Sequence, residues 1–269
     1  MPQTRLGLIA GNGQFPILFA QRAKSQDFHI IAAGIQGDTS LFLKFFADKF
    51  ALFKVGELEK LFAYFKSEGV QKVIMAGQVN PDHLFDRQVN WDPAFQKLFE
   101  ALNDRKADTI FSAVAEHLKR QGMELLDSTF LLKDSLAPKG TLTKRGPSLT
   151  ELGDIEFGKT IAKMMGGIDI GQTVVVKEKA IVAIEAMEGT DRTIARGGQI
   201  AQSGAVVVKM SKPHQDFRFD VPVVGPRTIQ AMKKVKAKCL AIEAGKTIII
   251  ERDQFIQLAD RNGICVIAA

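Results

Sequence analysis

In KPHQDFRFDVPVVGPRTI (Lys212–Ile229), Asp216, Arg218 and Asp220 stand at every second position. Along an extended strand this spacing puts the charged side chains on one face and Phe217, Phe219 and Val221 on the other. Downstream, Gly225 and Pro226 read as the cap and first position of a helix, whose unpaired N–H groups suit phosphate oxygens. A carboxylate pair, an arginine and open amides are what metal-assisted phosphoryl hydrolysis requires. A hard cation such as Mg²⁺ takes one or two carboxylates together with substrate phosphates, and positive groups offset the developing charge. A solvated edge strand neutralised by Arg218 would show the same spacing, and His214 reads as a surface residue.

Other stretches place similar groups at strand ends. EAMEGTDRTIARGG (185–198) leaves a strand through Gly189 and starts a helix at Thr190 or Asp191, a side chain able to cap it; Glu188 lies before it, and Arg192 and Arg196 share one helix face. GLIAGNGQFP carries Gly11, Asn12 and Gly13 between a strand and a helix, with Pro16 in the first turn. This is a partial dinucleotide fingerprint. It lacks the third glycine, and FHIIAAG lacks the acid that would bind a ribose, so a phosphate-bearing ligand fits better than NAD, and a tight turn also suffices. AGQVNP puts Gly77, Gln78 and Asn80 at the carboxyl end of an apolar strand. In NDRKADTIF, Asn103 or Asp104 reads as a helix cap, with Lys106 and Asp108 in the first turn.

These residues need a scaffold, and the first half supplies short apolar runs at 6–10, 28–33, 50–55, 72–76 and 123–126. Between them, Leu58, Leu61, Phe62 and Phe65, and Phe111, Val114, Ala115 and Leu118, follow the spacing of amphipathic helices. Alternating strand and helix predict an α/β fold: a Rossmann-like N-terminal domain with a parallel sheet, binding ligands at the strands' carboxyl ends. The Pro-, Gly-, Ser- and Thr-rich stretch from Lys133 to Gly153 reads as a connection. The expected domains are therefore 1–133, a linker at 134–153, and a mixed α/β catalytic domain at 154–269. That last domain carries a TVVV/AIVAIEAM hairpin, a GAVVVKM strand and a final β-α-β unit from TIIIE to ICVIAA.

Composition bounds the partners. The 269 residues are 46% hydrophobic and 25% charged, as in an ordinary globular protein. No apolar run approaches the ~20 residues that cross a bilayer, and the start shows no signal-peptide pattern, so a cytoplasmic protein is expected. Cys239 and Cys265 lie within strand-like runs and read as small core residues. A net charge of +6 favours anionic partners. No aromatic residues alternate with basic ones as a base-stacking surface would require, so nucleic acid is not an expected partner. The basic cluster Lys233 to Lys238 reads first as a solvated helix face.

LGLIAGNGQFP, AGQV, LAPKGTLT, DIGQTVVV, EGTDRTIARGG and KPHQDFRFDVPVVGPRTI together resemble the LpxI-type UDP-2,3-diacylglucosamine pyrophosphatase family of lipid A biosynthesis, nearly end to end. The resemblance implies a two-domain enzyme that binds a lipid nucleotide sugar between its domains and hydrolyses its pyrophosphate with Mg²⁺, giving UMP and 2,3-diacylglucosamine 1-phosphate. It implies that Asp220 is catalytic and that Asp220, Asp191 and Asp216 are metal ligands; Asp216 carries over more weakly, because the family also admits Glu there. Candidate substrate-binding residues are Gly11, Asn12, Gly13, Gly77, Gln78, Gly189, Thr190, Arg196, Lys212, Gln215, Arg218 and Gly225. Ala107 departs from the glycine expected at its position. If the substrate is a lipid, Leu136 and Leu142 become candidate acyl contacts, and cluster 233–238 a candidate contact with the cytoplasmic face of the inner membrane; a homodimer is also compatible. The competing readings are a non-catalytic nucleotide-sugar binding protein and an NAD(P)-dependent oxidoreductase.

Overall fold

The computed structural model describes residues 4–269, and the chain divides into two compact units. The first extends to Lys133 and also takes in Asp216–Asp220; the second comprises Asp134–Gln215 and Val221–Ala269.

In the first unit the apolar runs form β1 (Arg5–Ala10), β2 (His29–Ile35), β3 (Lys49–Phe53), β4 (Lys72–Ala76) and β5 (Glu124–Leu125). They pair in parallel in the order β3-β2-β1-β4-β5. Strand order therefore reverses between β1 and β4, which is where such a sheet opens a crevice at its carboxyl edge. Around it lie α1 (Phe15–Lys24), α2 (Leu58–Ser67), α3 (Pro93–Glu100) and α4 (Ala107–Arg120). Helix α2 buries the expected Leu58, Leu61, Phe62 and Phe65. With Phe95 and Phe99 of α3 and Val114 and Leu118 of α4, they form one core against Ile31, Ala33, Val73 and Met75. Fully burying a side chain such as Phe65 stabilises by roughly 1.5–3 kcal/mol. The N-cap of α4 is Lys106, not Asn103 or Asp104; Asp104 instead accepts the Lys106 N–H at 3.1 Å.

The second unit contains β6 (Gly140–Thr141), α5 (Leu149–Gly167), β7 (Thr173–Lys177), β8 (Ala180–Ile184), α6 (Thr190–Ala201), β9 (Val206–Lys209), β10 (Val223–Val224), α7 (Pro226–Lys234), β11 (Cys239–Ile242), β12 (Ile248–Ile249), α8 (Arg252–Arg261) and β13 (Cys265–Ala268). Its main sheet runs β6-β13-β11-β9-β7-β8. Strands β9, β11 and β13 are parallel, whereas β7 is antiparallel to β8 and β9. Side-chain alternation gives each face its own helix layer: Val174, Val176, Val206 and Val208 pack with Ile155 and Ala162 of α5. Val175, Val207, Leu240 and Ile242 pack with Ile194, Ile229, Met232 and Phe255 of α6, α7 and α8. Cys239 and Cys265 are buried free thiols, set opposite each other in the β11–β13 register.

Several expectations change. Residues 134–153 are built into the second unit. Gly140–Thr141 pairs with β13, and α5 begins at Leu149, where Ser148 and Glu151 cap each other's backbone N–H at 3.2 and 2.8 Å. The final β-α-β unit splits between sheets: β12 pairs with β10, while β13 pairs with β11. Asp216–Asp220 is a turn, not a strand, because the Asp216 carbonyl accepts the N–H groups of Phe219 and Asp220 at 3.3 and 3.0 Å. This segment belongs to the first unit and not to the 154–269 domain expected to contain it.

Candidate active site

At the carboxyl edge of the first sheet, the two turns leaving β1 and β4 are joined backbone to backbone. Gly11 donates to the Ala76 carbonyl at 2.8 Å and Asn12 to that of Gln78 at 2.7 Å. A Cβ on Gly11 would lie 2.5 Å from the Gln78 carbonyl oxygen, and one on Gly77 would lie 2.4 Å from that of Asn12. These glycines are needed for turn-to-turn packing, which explains them without a dinucleotide. Gly13 differs: its φ is +85° and open space lies where a Cβ would be. Beyond it α1 starts with no side-chain cap, leaving first-turn N–H groups of the kind that bind phosphate.

The 216–220 turn is fastened to this same edge. Fully buried Ser128 places its Oγ 2.6 Å from the Met75 carbonyl and 2.9 Å from that of Arg218, and its N–H donates to Phe217 at 2.9 Å. Phe219 stacks on Phe111 of α4, centroids 5.6 Å apart. The turn therefore sits beside the end of β4, with Asp216 and Asp220 on it. Arg218 grips Asp216 by Nε at 3.0 and 3.1 Å and by Nη2 at 2.7 Å. That bonding holds the Asp216 carboxyl below its ordinary range and raises Arg218 further.

The second unit gathers a dense polar cluster at the carboxyl ends of β9 and β11. Lys209 is 7% exposed. Its Nζ lies 2.8 Å from Thr190 Oγ1, which donates to Glu185 at 2.8 Å; Glu185 itself is 3.9 Å from Lys209. Beside them Lys212 pairs with Asp169, and its N–H donates to Gln215 at 2.7 Å. Glu243 accepts from Lys163 at 2.6 Å, Ser211 Oγ at 2.7 Å and Lys246 at 2.8 Å. Burial works against the Glu243 charge, but the bonds from Lys163, Lys246 and Ser211 outweigh it and bring its pKa down to about 2. A phosphate group brought to this edge would meet ammonium groups already ordered by carboxylates.

Of the expected residues, Thr190, Lys212 and Gln215 belong to this second cluster, whereas Gly11, Asn12, Gly13, Gly77, Gln78, Asp216, Arg218 and Asp220 belong to the first unit. Gly189, at φ +81°, caps α6, displacing Thr190 and Asp191 into its first turn. Arg196 folds back onto Glu188 and the Ile184 carbonyl; Glu188, despite burial, is held below its ordinary range by that arginine. Gly225 caps α7 as expected, its N–H donating to Thr228 Oγ1 at 3.4 Å. Lys233 and Lys234 occupy the last turn of α7, where cations offset the helix dipole, so they need no partner to explain them. Leu142 packs against the second unit's own core. Among the described residues, no three His, Cys, Asp or Glu side chains form a group that could hold a metal ion, and no helix is long and apolar enough to cross a membrane. Lys163, Asp169, Glu185, Lys209, Ser211 and Glu243 were not anticipated. Lys209 ends a Val-rich strand, the one sequence signal that marks it.

The two units define a two-domain α/β protein with a Rossmann-like N-terminal sheet and polar residues gathered at strand carboxyl ends. Family models for the LpxI N-terminal domain and the LpxI C-terminal domain match residues 5–135 and 138–267. The UDP-2,3-diacylglucosamine pyrophosphatase LpxI of Caulobacter vibrioides is 30% identical over 279 aligned positions, covering 98% of this chain and 96% of the relative. The chain belongs to the LpxI family. Among solved structures, the ADP complex of an N5-carboxyaminoimidazole ribonucleotide synthetase aligns at TM-score 0.29 and 14% identity, covering 65% of this chain and 32% of that one. The biotin carboxylase domain of a Hydrogenobacter thermophilus 2-oxoglutarate carboxylase aligns at TM-score 0.26 and 14% identity, over 75% and 41%. The chain spans less than half of either structure, and overlaps this slight decide nothing about ligands.

Proposed function

We propose that this chain hydrolyses the pyrophosphate bond of UDP-2,3-diacylglucosamine, giving UMP and 2,3-diacylglucosamine 1-phosphate in lipid A biosynthesis. The observation that carries the reading is the end-to-end match: both family domains in order, and 30% identity across 98% of the chain to a relative of that activity.

Within this reading, Asp220 is the catalytic carboxylate and Mg²⁺ is the cofactor, supplying charge neutralisation at the pyrophosphate and an activated water. The residues fit a hard cation in part: Mg²⁺ needs only one or two carboxylates because water and substrate phosphate complete its shell. On the turn, Asp220 would be the ligand that the family resemblance supplies, and the Asp216 carboxylate is engaged by Arg218. Asp191 lies in the first turn of α6 of the second unit. The uncapped start of α1 and the Lys209–Thr190 pair each offer a phosphate oxygen donors held in place before it arrives.

The test is UMP release from UDP-2,3-diacylglucosamine by purified chain, with Mg²⁺ and with excess EDTA. Release with Mg²⁺ and none with EDTA is the expected result. Release in both conditions overturns the metal, and release in neither, from folded protein, overturns the activity.

A further inference from the structure

The first unit carries an apolar projection that its own core does not use. Residues Leu41–Phe45 form a 3-10 turn in which fully buried Leu43 points inward while Leu41, Phe42 and Phe45 are 58%, 68% and 65% exposed. In a 3-10 helix positions i and i+3 stack, and the Phe42 and Phe45 rings lie 6.1 Å apart. Lys44 Nζ sits 5.0 Å over the Phe45 ring. Leu52, on edge strand β3, is also 42% exposed.

This turn is held rigidly. Ser40 accepts the Phe42 N–H, Thr39 Oγ1 accepts the Ile35 N–H at 2.7 Å and donates to the Ala10 carbonyl, and Asp38 accepts the Asn80 N–H at 2.9 Å. It is thereby tied to the carboxyl ends of β1 and β2 and to the turn after β4, the edge that carries the glycine turns. Its charge is one-sided. Residues 39–47 contain Lys44 and no acid; of the flanking acids, the Asp38 side chain is buried and accepts the Asn80 N–H, and exposed Asp48 is engaged by the Ile30 N–H at 2.8 Å and lies 3.6 Å from Lys24.

Aromatic rings beside a lysine, with no acid within the turn and the adjoining Asp48 offset by Lys24, match an anionic bilayer surface. We propose that Leu41, Phe42, Lys44 and Phe45 form a wedge that docks the first unit on anionic phospholipid. The choice of a bilayer over a second copy of the chain rests on the lipid substrate proposed above as well as on this charge match.

The test sediments full-length chain with sucrose-loaded vesicles, either phosphatidylglycerol with phosphatidylethanolamine or phosphatidylcholine alone. UMP release from substrate in detergent micelles is measured on the same preparations. The parent chain should prefer the anionic vesicles. Phe42→Ser with Phe45→Ser should lower that binding about tenfold and Lys44→Glu about fivefold, all with unchanged melting temperature and micellar activity. Absent parent binding, equal binding by the variants, or a change in oligomeric state in place of vesicle binding overturns the wedge. Wedge-dependent binding without UMP release leaves the wedge standing and sinks the hydrolase reading instead.

Discussion

Arg218 holds Asp216 in a forked pair within one turn, Nη2 to Oδ2 at 2.7 Å and Nε within 3.1 Å of both oxygens. A carboxylate engaged this way is a poor metal ligand until the arginine leaves. The pair is partly exposed, with side chains 46% and 31% accessible, so it contributes at most about 1 kcal/mol to stability. Its effect is to hold the Asp216 carboxylate in one orientation on the turn.

With Asp220 as the catalytic carboxylate of the proposed reaction, Asp220→Asn should lower UMP release by roughly 10²-fold or more while leaving the fold intact. Asp216→Ala should cost less than about tenfold, because it removes a carboxylate that already has a partner. Steady-state kinetics on both variants checks this. Equal losses would mean that the Asp216–Arg218 pair opens during turnover and that both acids serve the metal.

Lys209 lends itself to a test that separates structure from chemistry. Replacing it by Met leaves Glu185, 8% exposed, with a buried charge and no cation, a loss of about 3–5 kcal/mol in comparable buried pairs. Adding Glu185→Gln should recover most of the melting temperature. If Lys209 binds phosphate, the double variant stays at least about tenfold down in kcat/KM; recovered activity would make the pair purely structural.

The first sheet was legible because its central strands β1, β2 and β4 are buried along most of their length and so read as unbroken apolar runs. Its helices were legible because their apolar positions fall three and four apart. The DFRFD segment misled because alternation also fits a turn in which Arg218 folds back onto Asp216. What decides between them is Ser128, some ninety residues away in sequence, holding the turn by its carbonyls. The start of α5 was missed although Ser148 and Glu151 carry the S-x-x-E capping pattern. The Lys209 cluster had no local signature. Its members come from β9, α6, the end of β8 and the start of β7, and the antiparallel pairings of β7 with β8 and β9 bring them together.

The glycines of the ARGG motif are explained by packing. A Cβ on Gly197 would lie 2.7 Å from Val175 Cβ, and one on Gly198 would lie 2.2 Å from Val235 Cβ. Alanine ordinarily stabilises a helix by up to about 1 kcal/mol over glycine. At Gly197 or Gly198 the overlap should reverse that sign, destabilising by about 1–3 kcal/mol. At Gly153 of α5, where a Cβ meets only the flexible end of Lys179 at 3.2 Å, alanine should raise the melting temperature. Thermal melts of the three variants read the contrast directly.

The β7–β8 hairpin depends on one buried acid. Glu178 and Lys179 both adopt positive φ, +52° and +59°, a conformation unfavourable for side chains other than glycine. Asp154, 6% exposed, accepts their N–H groups at 3.1 and 2.6 Å. Asp154→Ala should lower stability by about 1–3 kcal/mol, measurable by urea unfolding. Lys179→Gly should offset part of that loss by removing strain.

Glu243 sets a pH dependence whose direction follows from its partners. Its pKa falls from 4.5 to about 2 in the folded chain, so the folded state holds the carboxylate charged where the unfolded chain would protonate it. The resulting stability, about 1–2 kcal/mol once screening by solvent at the partly exposed Lys163 and Lys246 is allowed for, is fully present above about pH 4.5 and is lost as pH falls toward 2. Glu243→Gln keeps the shape but removes the charge facing Lys163 and Lys246. Urea unfolding should show the variant least stable relative to the parent at neutral pH, and the gap should close as pH drops from about 4.5 to 2. A gap that stayed constant over that range would mean that the Lys163–Ser211–Glu243 bonds act through packing, and that the charge on Glu243 contributes nothing to them.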